Sequence, residues 1–157
     1  RVLLFDERGR LLLIRGHDWG KADRSWWFTV GGGLEPGEDA RAGAAREALE
    51  ETGISLEPGE LEGPVAERSA IFDFALRTVR QDELFFVAHV EARELDTSGQ
   101  TAWEVQLLDE YRWWDLTELE AAQEGGATLY PGELVGLARG VVGGWDGVVR
   151  RLEDQRD

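Results

Sequence analysis

Gly31-Gly32-Gly33-Leu34-Glu35-Pro36-Gly37-Glu38-Asp39-Ala40-Arg41-Ala42-Gly43-Ala44-Ala45-Arg46-Glu47-Ala48-Leu49-Glu50-Glu51-Thr52-Gly53-Ile54 is the stretch on which the reading of this chain turns. A glycine-rich turn runs into a helix predicted to start near Asp39. The helix stops at Gly53, a residue suited to the left-handed position just past a helix end. Glu47, Glu50 and Glu51 are spaced i, i+3, i+4, which puts their side chains on one helical flank about 5–6 Å apart. Each like-charge pair at that spacing costs about 0.2–0.5 kcal/mol. A hard divalent cation removes the cost, because Mg²⁺ and Mn²⁺ prefer oxygen ligands. At about 100° per residue, Ala44, Ala45, Ala48 and Leu49 gather on one side. The small alanines predict a helix lying close on a sheet, with the glutamates edging a cleft. Gly43 in mid-helix costs about 1 kcal/mol against alanine, and close backbone approach to the sheet is the expected reason.

Outward toward the N-terminus, Trp26-Trp27-Phe28-Thr29-Val30 reads as an aromatic-rich strand delivering the chain into the glycines. Val2-Leu3-Leu4-Phe5 and Leu11-Leu12-Leu13-Ile14 are short apolar strands joined by the turn Asp6 to Arg10, and together they predict a hairpin. Residues 15–25 read as a polar loop holding Arg15, His17, Trp19, Lys21 and Arg24. Outward toward the C-terminus, strands are expected over Val65 to Leu76 and Arg77 to Val90. A polar connection then holds Trp103 and Glu104, and Tyr111-Arg112-Trp113-Trp114 is a last strand. Thr117-Glu118-Leu119-Glu120 has the form of a capping box. Residues 125–132 read as a loop, and residues 133–151 as one or two helices broken at Gly143-Gly144. Strands, a central helix, more strands and terminal helices make an α/β chain. Its 157 residues suit one compact domain, 1–157, with C-terminal helices over about 117–151.

Composition narrows the function. A formal charge of −15 disfavours long nucleic acid held through its phosphates, but not a nucleotide that arrives with metal ions. No run approaches the roughly 18–20 apolar residues of a membrane span. The chain lacks cysteine, which excludes disulfides, thiolate metal sites and cysteine nucleophiles and fits a cytoplasmic protein. It opens on Arg1 directly in an apolar strand, as a chain trimmed at its N-terminus would. The glycine turn and the glutamate helix suffice for a chemistry. Main-chain N–H groups in such a turn approach phosphates. Helical carboxylates hold divalent cations that withdraw charge from a pyrophosphate and acidify bound water, and a further carboxylate takes the proton. The sum is metal-assisted hydrolysis of a phosphoanhydride.

The same stretch resembles the signature of the Nudix hydrolases: glycine, five residues, glutamate, seven residues, then Arg-Glu-Ala-Leu-Glu-Glu-Thr-Gly-Ile. Gly32, Glu38, Arg46, Glu47, Glu50, Glu51 and Gly53 match every fixed position of that box, which spans Gly32 to Ile54. The resemblance implies the Nudix fold, a central mixed β-sheet sandwiched between α-helices. It also implies a MutT-like pyrophosphohydrolase that uses Mg²⁺ or Mn²⁺ to cleave a nucleoside diphosphate linked to another moiety. It assigns Glu47, Glu50 and Glu51, with the carbonyl near Gly31 or Gly32, to metal binding. It also implies that Glu38 and Arg46 form a structural ion pair. The general base is Glu47 or a glutamate outside the box, with Glu104 ranked ahead of Glu83 and Glu83 ahead of Glu110. Taken singly, each of those three is more often a solvated surface carboxylate.

Substrate contacts are expected from aromatic and basic side chains: Trp103, Trp19 and Tyr130 as stacking platforms, Trp27 from the aromatic strand, and Arg15, Lys21 and Arg24 toward phosphate. The expected partner is a small nucleotide substrate, with the protein a monomer or homodimer and no membrane or long nucleic acid involved. Two rival readings remain open: a sensor that binds a nucleotide without cleaving it, and a pyrophosphohydrolase of RNA 5′ ends.

Overall fold

The structure is a computed structural model describing residues 1–156 except Trp19, Phe74 and Arg93; the side chains of Lys21, Ala22, Trp103, Gln155 and Arg156 also lie outside the described set. One mixed sheet carries the molecule. Its elements are β1 (Val2–Phe5), β2 (Leu11–Asp18), β3 (Lys21–Thr29), α1 (Ala40–Thr52), β4 (Glu62–Asp73), β5 (Thr78–His89), α2 (Ala102–Leu107), β6 (Leu108–Trp114), α3 (Leu116–Glu124), β7 (Leu129–Tyr130), α4 (Leu134–Val141), β8 (Arg150–Arg151) and β9 (Gln155–Arg156). The strand order is β7-β3-β2-β1-β5-β4-β8, with β6 also on β2 and β9 also on β4.

β1 and β2 read as unbroken apolar runs because both of their faces are covered. Leu3, Phe5, Leu11 and Leu13 point to one side, where they meet Leu119 of α3 and Leu134, Leu137, Ala138 and Val141 of α4. Val2, Leu4, Leu12 and Ile14 point to the other, where they meet Ala44, Ala45 and Ala48 of α1. The sheet is thus sandwiched between helices. The turn between β1 and β2 is built on Asp6, whose buried carboxylate accepts the Arg8 and Arg10 amides at 2.9 and 2.8 Å and pairs with the Arg10 guanidinium at 2.6 Å. Among the described residues, no helix is long and apolar enough to cross a membrane.

Several expectations change. Residues 15–25 are not a loop: β2 and β3 run through them, so Arg15 and Arg24 lie on strands. The connection before β6 contains α2, closed by a Thr101–Glu104 capping box, a sequence pattern as plain as the one at Thr117. At that second place Asp115 is the cap, accepting the Thr117 and Glu118 amides, and Thr117 sits one residue inside the helix. β7 interrupts the supposed loop 125–132. After α4 the chain leaves helical structure and lays β8 and β9 parallel to β4, because Gly144 and Gly147 adopt φ of 134° and 86°, which no helix accepts.

α1 departs from expectation on two counts. Leu49 is about half exposed while Glu51 is buried. The helical wheel explains this, since Glu51 falls only about 20° from Ala44 and Leu49 about 140° from it. Gly43 faces the box loop and not the sheet. A Cβ there would collide with the Leu34 side chain and come within 2.9 Å of a Glu38 carboxylate oxygen. Gly43→Ala should therefore fail to gain alanine's helix preference of about 1 kcal/mol, because the exposed end of Leu34 can turn away but the Glu38 carboxylate, clamped by Arg46, must give. Urea unfolding measures this, and a stabilised variant would remove the packing account.

Candidate active site

The loop 31–39 and α1 form one wall of a cleft of about 580 Å³, floored by β3, β4 and β5. The Asp39 side chain accepts the Ala42 amide at the start of α1, and Gly53 ends the helix with φ of 75°. Those two caps fix where the glutamates stand. The buried Glu51 accepts the Gly31 amide at 3.2 Å. The Glu47 carboxylate packs on Gly32, where a Cβ would lie 2.6 Å from its carbon. Glycine at position 32 is therefore a condition for Glu47 to enter the cleft.

Burial governs the protonation of this wall. It pushes Glu51 up to about 8, against the pull of Arg1 and the Gly31 amide and with help from Glu47 and Glu104. It raises Glu47 as well, aided by Glu50 and Glu104 and opposed by Arg46. Arg46 is the local counterion. Its Nε and Nη2 hold Glu38 at 2.7 and 2.9 Å, its Nη1 lies 3.1 Å from both Glu47 and Glu50, and its Nη2 also donates to the Gly33 carbonyl. That grip holds the Glu38 carboxyl down at about 2.

The far wall is a chain of charge. Arg68 of β4 and Glu83 of β5 are cross-strand partners. The Arg68 Nε donates to one Glu83 oxygen at 2.6 Å, and the Arg1 Nε donates to the other at 2.6 Å. Arg1 also donates to the Gly31 carbonyl at 2.8 Å. Burial alone would raise Glu83, but the two guanidinium groups outweigh it and hold its carboxyl below the usual value. Both oxygens of Glu83 are thus engaged by cations, which makes it a poor proton acceptor. Its work is to aim Arg1 at the glycine turn.

The other expected residues divide. Glu104 lines the cleft, with one carboxylate oxygen accepting the Thr101 amide at 3.0 Å. Trp27 does not face the cleft: it is buried on the opposite side of the sheet, edge-on to Trp114 with ring centres 5.2 Å apart. Arg15 follows the same strand alternation. It lies over Trp27 and beside Glu110 at 3.6 Å, which sets Glu110 on the far face too. Arg24 does not line the cleft and pairs with Asp18 at 2.9 Å. The side chains of Trp103 and Lys21, and Trp19 altogether, lie outside the described residues.

Of the expected platforms Tyr130 does line the cleft, and the rest of its aromatic lining comes from Trp26, Phe28 and Phe72. Trp26 and Phe72 each sit against Tyr130, with ring centres 5.7 and 5.3 Å apart. Strand parity, which chooses Trp26 over Trp27, could not be set from the sequence without knowing which face α1 covers. Arg1, Arg68 and Asp18 were also missed. Only Arg68 carried a signal, as an arginine inside an otherwise apolar strand.

A metal fits this wall by its donor chemistry. Glu47 and Glu51 are close, partly or wholly buried carboxylates whose charged forms are disfavoured, and every side-chain donor on the helix is oxygen. Among the described residues, no group of three or more acidic or histidine side chains converges closely enough to form a finished cation site. Arg46 draws Glu47 and Glu50 to itself instead.

Fold and site together define an α/β protein with an acidic helix set against a glycine turn. The NUDIX domain model matches residues 1–132, and the chain belongs to the Nudix family. It is 49% identical over 57 residues to a MutT-like protein from Streptomyces ambofaciens, covering 36% of this chain and 34% of that protein. It is 40% identical over 60 residues to an RNA pyrophosphohydrolase from Dinoroseobacter shibae, covering 38% and 36%. The matches thus span about a third of each of these relatives. The crystal structure of a MutT protein from Methanosarcina mazei superposes with a TM-score of 0.56 at 26% identity, covering 88% of this chain and 86% of that one.

The raised carboxyl at Glu51 gives a pH test. A group with a higher pKa folded than unfolded holds its proton more tightly when folded. Its contribution therefore makes stability fall as pH rises from about 4.5 to about 8. A divalent cation held by Glu51 would compete with that proton and would stabilise only the folded cleft. Thermal melts in chelator should thus decline across this window, and Mg²⁺ should offset the decline most at its upper end. A Mg²⁺ effect independent of pH would count against Glu51 as a ligand.

Proposed function

We propose that this chain is a divalent-metal-dependent pyrophosphohydrolase acting on a nucleoside diphosphate linked to another moiety. The observation that carries the reading is the burial of Glu47 and Glu51 against the Gly31–Gly32 turn, with both carboxyls raised. Such an excess of negative charge is costly unless a cation relieves it. Glu47, Glu50, Glu51 and the main-chain carbonyl of Gly32 would hold Mg²⁺ or Mn²⁺. When bound, the cation draws charge from the phosphoanhydride and acidifies water.

The chain's own groups do the rest. Arg46, anchored by Glu38, orients Glu47 and Glu50. Arg1, aimed by Glu83, holds the glycine turn and adds positive charge where phosphate would lie. Glu47, whose pKa is moved toward neutrality, suits the role of proton acceptor; Glu104 faces the same space and is the alternative. Trp26, Phe72 and Tyr130 supply an apolar recess against which a planar ring would lie.

The test is a turnover panel with Mg²⁺: nucleoside triphosphates, nucleotide sugars and ADP-ribose, dinucleoside polyphosphates, coenzymes and 5′-triphosphorylated RNA. The partial match to a protein named RNA pyrophosphohydrolase supports including the last of these. Glu51→Gln keeps an acceptor for the Gly31 amide and removes a buried charge, so its metal-free stability at pH 8 should equal or exceed wild type. Its kcat/KM should fall by at least about a hundredfold. Binding without turnover across the whole panel would favour the sensor reading instead. Wild-type turnover by Glu51→Gln would overturn the ligand assignment.

A further inference from the structure

Beyond the metal wall, the end of the cleft is closed by a contact that phosphate chemistry does not need. Asp18, at the end of β2, is 1% exposed. Its two carboxylate oxygens lie 3.2 and 3.1 Å from the amide nitrogen of Ala75, in the turn between β4 and β5. The Arg24 Nη1 donates to Asp18 at 2.9 Å and to the carbonyl of Asp73 at 2.8 Å, while its guanidinium lies 5.7 Å from the centre of the Trp26 ring. Two residues of the β2–β3 hairpin thus grip the tip of the β4–β5 hairpin where its turn leaves β4. The β2–β3 ladder shifts register between His17 and Asp18 to allow this.

Beneath the grip lie Trp26 from β3, Phe72 from β4 and Tyr130 from β7. Each comes from a different strand, so the relative position of the two hairpins sets the spacing of these rings. The exposed Leu76 and the neighbouring Arg77 hang from the same tip and line the cleft.

We propose that Asp18 and Arg24 are positioning residues that latch the β4–β5 hairpin to the β2–β3 hairpin, and so set the width of the aromatic recess and the nucleobase it admits. The proposal rests on the reading of the cleft as a nucleotide site. It separates that site into a diphosphate half, built by the box, and a base half, whose dimensions are held by an ion pair outside the box. A latch of this kind acts on the ring and not on the phosphates, and that asymmetry makes it testable.

The experiment is calorimetric binding in Mg²⁺ of two probes, a set of purine and pyrimidine nucleoside monophosphates and methylenediphosphonate, to wild type, Asp18→Ala and Arg24→Ala. Both variants should bind the preferred monophosphate about tenfold more weakly, with reduced discrimination among bases. Methylenediphosphonate should bind within about twofold of wild type. Arg24→Lys, which keeps a cation beside Asp18, should recover most of the loss. Hydrogen exchange at residues 75–78 should speed up in Asp18→Ala while α1 stays protected, which separates an opened latch from general unfolding. Equal weakening of both probes, or unchanged monophosphate binding, would overturn the latch, as would a wild-type protein that binds the diphosphonate but no nucleoside. None of these measurements needs turnover, so a protein that fails the hydrolysis panel still decides the proposal.

Discussion

A carboxylate buried against a backbone amide is the constraint from which the cleft follows. Glu51 enters the interior only because the Gly31 amide meets it, and Gly31 can present that amide because it takes φ of 142°, closed to other residues. Gly32 then leaves the space that Glu47 fills. With two acidic groups drawn into poorly solvated space, the surroundings must supply positive charge. The fold does so through Arg46 on the helix side and, on the sheet side, through Arg1, whose partner Glu83 is held in turn by the buried Arg68. Glu38 and Glu83 hold those guanidinium groups in place, so the outer carboxylates act on the inner ones through arginine.

Much of this was legible in the sequence where local rules decide the outcome. The caps of α1 and its three-glutamate flank depend on spacing within one segment, and spacing can be read directly; the pairing of Glu38 with Arg46 was implied by the family resemblance. The continuous apolar runs of β1 and β2 announced strands covered on both faces. The reading was weakest where two distant segments decide together. Trp26 and Trp27 are chemically equal neighbours, and only the packing of α1 on one face and α3 and α4 on the other assigns one to the cleft and the other to the core. Glu83 reads as a free carboxylate until Arg68 and Arg1, fifteen and eighty-two positions away, are placed on its two oxygens. Asp18 gave no local sign of its role, because its partner amide at Ala75 lies fifty-seven residues on. Glu104, by contrast, lay in a readable capping box, and that box tells that one of its oxygens is already committed.

The sheet separates two kinds of stabilisation. Its α3–α4 side is a large apolar cluster of leucine, valine and tryptophan, where burial alone carries the energy. Its α1 side is narrower, lined at the helix with Ala44, Ala45 and Ala48. The smallness of those residues brings a charged helix close to the strands. Strength and chemistry are thereby assigned to opposite faces, and substitutions that enlarge one core need not disturb the other.

Arg46 has a consequence for how such a cleft would work in cycles. Two of its nitrogens are fastened to Glu38, while the third reaches the very carboxylates proposed to receive a cation. It is a tethered understudy: a positive charge that stands in the acidic wall where an ion would sit, fastened to Glu38 and not to the helix glutamates alone. An incoming cation would replace one counterion with another, so Glu47 and Glu50 would not face each other bare. The cost of emptying such a site would be shared with a side chain that cannot diffuse away.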